Sequence, residues 1–264
     1  MDTVAGPSSV SSTFDEPRVR AITVDDVSVA LSDGLRDFRA APAFGTTVGL
    51  VYAIGGNLLL WIVASWDLSL LVYPLAAGFV LIAPFAAVGV YELSRRMEAG
   101  ETTRLSDLIG AVPPHARREL AYMALVTFFA LLVWVYAAGF VYALFFGLRS
   151  LPTDDIVTMI VSTPRGVAFL VVGNLLGAVL ATVVFSISVI SYPLLLDRDI
   201  DFVTAMIASI RAVLAAPMPM LGWGVFIATM LAIAILPMFL GLVVILPWLG
   251  HASWHLYRRA TAVD

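Results

Sequence analysis

The chain has 264 residues, of which 61% are hydrophobic and only 13% charged, with a formal net charge of −4. All 15 basic residues are arginine and cysteine is absent, which excludes lysine Schiff-base chemistry, thiol nucleophiles, disulfides, iron–sulfur clusters and thiolate metal sites. In so apolar a chain the placement of charge matters more than its sum.

Residues 1–21 are polar, Ser-rich and acidic-leaning, with no apolar run before Ile22. Their composition predicts a disordered N-terminal tail without a cleavable signal, followed by a single membrane domain over 22–264. The segment 24–41 reads as an amphipathic surface helix. Val27, Leu31, Leu35 and Phe38 share one helical face and Asp26, Asp33 and Asp37 lie elsewhere. Thr23 and Asp26 are spaced as a variant capping box, and Pro42 lets the chain turn from the membrane surface into the bilayer.

Beyond Pro42 come five apolar blocks without a charged side chain, Phe44–Trp66, Leu68–Tyr91, Leu120–Leu148, Gly166–Leu196 and Ala212–Gly250. Each reaches the roughly 20 residues that a helix needs to cross a bilayer. The last is too long for one crossing, and an internal repeat shows where it divides. Pro74, Gly78, Pro84 and Arg95-Arg96 recur with identical spacing as Pro237, Gly241, Pro247 and Arg258-Arg259. Upstream, Leu31, Leu35, Arg36, Phe38 and Ala40-Ala41-Pro42 align with Met206, Ile210, Arg211, Val213 and Ala215-Ala216-Pro217. The repeated unit predicts a second surface helix over 201–216 and six spans at about 44–65, 70–93, 119–147, 167–194, 218–235 and 237–257. The expected fold is therefore an all-α, polytopic membrane bundle of six transmembrane helices in pseudo-repeated hairpins, with amphipathic helices on the cytoplasmic face.

Six spans collect 13 of the 15 arginines on one side and leave Arg149 and Arg165 opposite. The excess of arginine on cytoplasmic loops then predicts a bacterial inner-membrane protein with both termini cytoplasmic.

No ionisable side chain lies in the middle of a span, which argues against ion-coupled transport and an intramembrane haem. Two amides do: Gly-Asn-Leu-Leu occurs at Gly56–Leu59 and again at Gly173–Leu176. Asn57 and Asn174 are thus the candidate intramembrane polar contacts, either interhelical ties or part of a polar substrate site. Gly173, Gly177 and Ala181 are spaced for close packing. His251 and His255, one turn apart near Arg258-Arg259, are the nearest approach to a metal pair. With no further ligand in view they read as interfacial anchors, so no metal and no cofactor is expected. Pro152-Thr153-Asp154-Asp155 reads as a helix start in the outer loop, and Pro84 and Pro247 as kinks. Phosphate-binding glycine loops, catalytic triads and nucleic-acid patches are not found.

The runs APFAAVGVYELSRRMEAGE at Ala83–Glu101 and SISVISYPLLLDRDIDFVTAMIASIRAVLAAP at Ser186–Pro217, with Pro17–Arg20, Leu31–Pro42 and the terminal LPMFLGLVVILPWLGHASWHLYRR, resemble an uncharacterised bacterial family of integral membrane proteins, a domain of unknown function. Some members are labelled as candidate cytochrome c oxidase subunits. The resemblance implies localisation and topology, and no activity. A catalytic oxidase subunit needs several deep histidines, which this chain lacks. The expected function is a non-enzymatic scaffold, assembly factor or accessory subunit of a membrane complex, with the lipid bilayer and other membrane-protein subunits as partners and no nucleic acid. The alternative is a transporter or channel for a neutral or lipid-like solute.

Overall fold

A computed structural model of the chain describes residues 17–66, 75, 83–101, 112–147 and 156–261. Among the described residues the structure is helical, without strands. The helices are α1 (Val24–Ala40), α2 (Pro42–Ser65), α3 (Ala83–Glu98), α4 (Pro114–Phe146), α5 (Ile156–Ser162), α6 (Pro164–Ser188), α7 (Ser191–Asp197), α8 (Phe202–Ala215), α9 (Pro217–Ile235) and α10 (Leu242–Ala260). Among the described residues four stretches are long and apolar enough to cross a membrane: α2, α4, α6 continuing through α7, and α9.

The Thr23–Asp26 capping box forms as expected. Asp26 N–H donates to the Thr23 hydroxyl, while Thr23 N–H donates to the Asp26 carboxylate at 2.8 Å. α1 and α8 each end at an alanine outside helical geometry, Ala41 at φ −136° ψ 61° and Ala216 at φ −144° ψ 67°, and the proline after it opens the next helix. The ring of a proline disfavours the helical region for the preceding residue and costs nothing at the first helical position, so both joints follow directly from Ala-Pro.

α10 is the hub, with α1, α2, α3, α7 and α9 packed on it. Small residues set these approaches. A Cβ on Gly34 of α1 would collide with the Ala252 backbone, one on Gly49 of α2 with the backbone at Leu242 and Val243, and one on Gly45 with the Pro247 ring. Gly45, Gly49, Ala53 and Gly56 form the buried stripe of α2, a small-xxx-small pattern through which membrane helices approach closely.

Several elements differ in detail from the sequence expectation. The fully buried face of α1 is Asp26, Ala30, Gly34 and Asp37. Val27, Leu31, Leu35 and Phe38 are half-buried, because glycine and alanine give the closer contact with α10. Residues 17–21, assigned to the tail by composition, run extended against the end of α10, where Arg20 N–H donates to Ala260 O at 2.9 Å; residues 1–16 lie outside the described residues. The stretch 167–194 is interrupted after α6, where Ile190 N–H leaves the helical ladder and donates to the Ser209 hydroxyl of α8. The helix expected from 237 begins at Leu242. Pro74, Gly78, Pro152–Asp155 and Arg149 lie outside the described residues, and of the 70–93 span the described helix starts at Ala83.

Candidate functional site

The largest concentration of buried polar groups lies where α1, α3 and α10 meet near the arginine pairs. Gly34 brings α1 against α10 and Gly250 brings α10 against Val90 of α3, so side chains one turn further along all three helices converge. Asp37 of α1 is 7% exposed, while Ser94 of α3 and His251 of α10 are fully buried. The Ser94 hydroxyl lies 2.6 Å from His251 Nδ1 and 3.4 Å from Asp37 Oδ2, and His255 Nε2 lies 2.7 Å from that same carboxylate oxygen. Burial is the strongest influence on the Asp37 carboxyl and pushes it up; the hydrogen bond and charge of His255, with His251 and Arg36, outweigh it and hold the carboxyl below the usual range.

Ion pairs surround this cluster. Arg20 bonds Asp26 at 2.8 Å and holds its carboxyl down at about 2, against a burial effect in the opposite sense. Arg259 reaches Asp26 and Asp33, and Arg20 Nε donates to the Arg259 carbonyl. On the other side of α10, Arg258 pairs with Glu98 and Asp197, and the Trp254 indole and Tyr257 hydroxyl donate to the same two carboxylates. Glu92, 1% exposed, receives both Arg95 and Arg96. The terminal arginines thus fasten α1, α3, α7 and the segment before α1 to one helix.

The chemistry of this arrangement is limited by its connectivity. Ser94 and His251 form a hydroxyl–imidazole pair, but in a hydrolytic triad the second imidazole nitrogen meets the carboxylate. Here Asp37 holds Ser94 and His255, and His251 Nε2 is buried without a hydrogen-bond partner among the described residues. A nucleophile with no exposed surface is also out of reach of substrate. His251 and His255, candidates for a metal pair on spacing, go to Ser94 and Asp37 respectively. Among the described residues no group of three or more His, Cys, Asp or Glu side chains is arranged to hold a metal ion.

The two amides part company. Asn57 donates to Ala53 O on its own helix and, at 2.7 Å, to Met238 O. Met238 and Phe239 have φ of 54° and 63°, a left-handed conformation costing roughly 1–2 kcal/mol per non-glycine residue. The Asn57 bond, and the burial of the Phe239 ring where a Cβ on Gly56 would sit, offset that strain and set the turn from α9 into α10. Asn174 is exposed on α6 and donates to Leu170 O of its own helix. Gly177 of the small-residue stripe packs on Trp134, whereas Gly173 has open space beside it.

Sequence reasoning missed Asp37 and Ser94. The available signal was a carboxylate in register with Ala30 and Gly34 on α1, and a serine inside the Glu-Leu-Ser-Arg-Arg run.

Residues 72–197, just under half of the chain, match the model of a family described as predicted integral membrane protein (DUF2189). The chain is similar to an uncharacterised membrane family. No curated protein and no solved structure matches it. Within the DUF2189 match fall α3 to α7, and with them Ser94 and Glu92; Asp37, His251 and His255 lie outside it. The match and the four apolar stretches together make this an integral membrane protein.

Proposed function

We propose that the protein acts without catalysis of its own, as a scaffold, assembly factor or accessory subunit of a larger complex in the bacterial inner membrane. The observation that carries this is the use made of its polar groups. The buried Asp37–Ser94–His251–His255 cluster and the surrounding arginines are spent on tying helices together. By contrast, α6 is little enclosed, with Gly166, Val184 and Ser188 its buried residues. A helix so little used by its own bundle is available to lipid and to neighbouring subunits. A transporter for a neutral solute would gather Asn57 and Asn174 on one polar cavity; Asn57 is engaged by the Met238 carbonyl and Asn174 by its own helix.

The architecture we infer has six spans built from a unit used twice, with both termini cytoplasmic. Contact between Arg20 and Ala260 brings the two ends of the described chain to one side, which supports an even number of crossings. The repeat is supported by the matching Ala-Pro joints and by burial in register: Ala30, Gly34 and Asp37 of α1 correspond to Ala205, Ser209 and Ala212 of α8, all buried. Purification from membranes in a mild detergent, followed by mass spectrometry of co-purifying proteins, tests the function. A partner recovered in fixed proportion is the expected result; a monodisperse protein with no partner, from cells grown under several conditions, contradicts it.

A further inference from the structure

A crevice of about 170 Å³ opens between α6 and α9, with α3 and α10 forming its floor. Small residues create it. Ala181 on α6 and Ala228 on α9 stand exposed at its mouth, Gly224 leaves space beside Phe185, and larger side chains at these positions would fill it. Because α6 and α9 are both candidate spans, the mouth faces the hydrocarbon of the bilayer.

The lining is graded along the membrane normal. Towards the interior it is aliphatic, ending at Leu231. Towards the arginine-rich end it carries three buried hydroxyls, Tyr91, Ser188 and Ser253, from three different helices. Ser253 is hydrogen-bonded to Tyr91, and it precedes Arg258 by five residues, about 7 Å along the helix. The hydroxyls therefore sit just inside the interfacial level, where a lipid's polar head begins. Among the described residues no arginine, histidine or carboxylate lines the crevice, although all three crowd the neighbouring surface. A charged head seated here would be desolvated without a counter-ion, which is far more costly than seating a hydroxyl or ester that can bond to other hydroxyls.

We propose that this crevice binds one hydrocarbon chain of an uncharged, hydroxyl-headed membrane lipid, with the head oxygen at Tyr91, Ser188 and Ser253 and the chain running between α6 and α9 towards Leu231. The site is independent of whether the protein has protein partners.

The test uses the full chain in nanodiscs and two photo-crosslinking probes that share the same diazirine-bearing acyl chain, a diacylglycerol and a phosphatidylglycerol. Labelled peptides are mapped by mass spectrometry. The expected result is labelling concentrated on peptides of α6 and α9 around Ala181 and Ala228, about tenfold stronger from the diacylglycerol, as one or two neutral hydrogen bonds would give. Ala228→Trp should abolish that labelling at an unchanged melting temperature, and Ser253→Ala should keep the labelling while reducing the preference between probes several-fold. Equal labelling by both probes, or labelling spread evenly along α4, α6 and α9, overturns the proposal. Should Ala228→Trp lower the melting temperature, competition in the unaltered protein decides: excess unlabelled diacylglycerol removes the signal if the site exists, and leaves it unchanged if the contact is ordinary annular lipid.

Discussion

At the scale of single residues, the same amino acid has opposite consequences according to what faces it. A helical glycine gives up roughly 0.5–1 kcal/mol relative to alanine, so Gly139→Ala and Gly173→Ala, where nothing lies within 4 Å of the new Cβ, are expected to leave thermal stability in detergent unchanged or to raise it slightly. Gly34→Ala meets the Ala252 backbone, which cannot swing aside as a side chain can. Overpacking of this kind costs about 1–3 kcal/mol and outweighs the gain in propensity, so its melting temperature should fall; a rise would mean that α1 does not pack as closely as described. Asn57→Leu should cost about 1 kcal/mol, the value of an interhelical hydrogen bond in a membrane protein, and should loosen the turn at Met238, read as faster proteolysis between α9 and α10. The carboxylates of α1 give a pH dependence of definite sign. Asp26 and Asp37 are held below the ordinary 3.8, so the stability they contribute is complete above about pH 4. It is lost as pH falls, towards pH 2 for Asp26. Asp26→Asn should therefore melt below the wild type at neutral pH, and the gap between the two curves should close as the pH approaches 2. A gap that stays constant would place the Asp26 contribution elsewhere than in its charge.

At the scale of elements, what could be read from the sequence were the local rules. The Thr23–Asp26 cap, the Ala41-Pro42 and Ala216-Pro217 joints and the helical character of α1, α2, α4, α6, α8 and α9 follow from capping chemistry, proline geometry and apolar length. What could not be read were the choices made by packing. An apolar stripe on α1 suggests that Val27, Leu31, Leu35 and Phe38 are its deepest residues, yet burial went to Ala30 and Gly34 because small side chains admit a closer axis. The stripe Gly45, Gly49, Ala53 and Gly56 was present in the sequence as a small-xxx-small pattern but is diluted among other glycines. The break at Val189–Ile190 falls four residues before Pro193, which has no N–H to return to the Val189 carbonyl; what the sequence does not announce is that Ile190 N–H then turns to Ser209, a residue 19 positions away. The polar cluster was half legible. His251 and His255 stood out by spacing, while their partners Ser94 and Asp37 lie 157 and 218 residues distant in sequence, beyond any local pattern. Asp37→Leu should separate these effects: it removes the acceptor shared by Ser94 and His255, and amide hydrogen exchange in α1 should accelerate more than in α2.

At the scale of the whole molecule, the arginines serve two purposes at once. In the sequence they are the basis for the expected sidedness, and in the structure several of them close a ring that joins the segment before α1, α1 and the end of α10 through Arg20, Asp26, Arg259 and Asp33. A helix that arrives on the wrong side of the bilayer cannot complete that ring, so the topology and the clamp reinforce each other. The most direct measurement of this is a set of reporter fusions read in intact cells, with a fluorescent reporter that matures only in the cytoplasm and a phosphatase active only in the periplasm. Fusions after Arg104 and after Arg259 are expected to be fluorescent and phosphatase-negative, and one within 149–165 to be phosphatase-positive. A phosphatase-positive fusion after Arg259 would put the end of α10 on the opposite side from that proposed, and would contradict both the six-span topology and the arginine-rich cytoplasmic face.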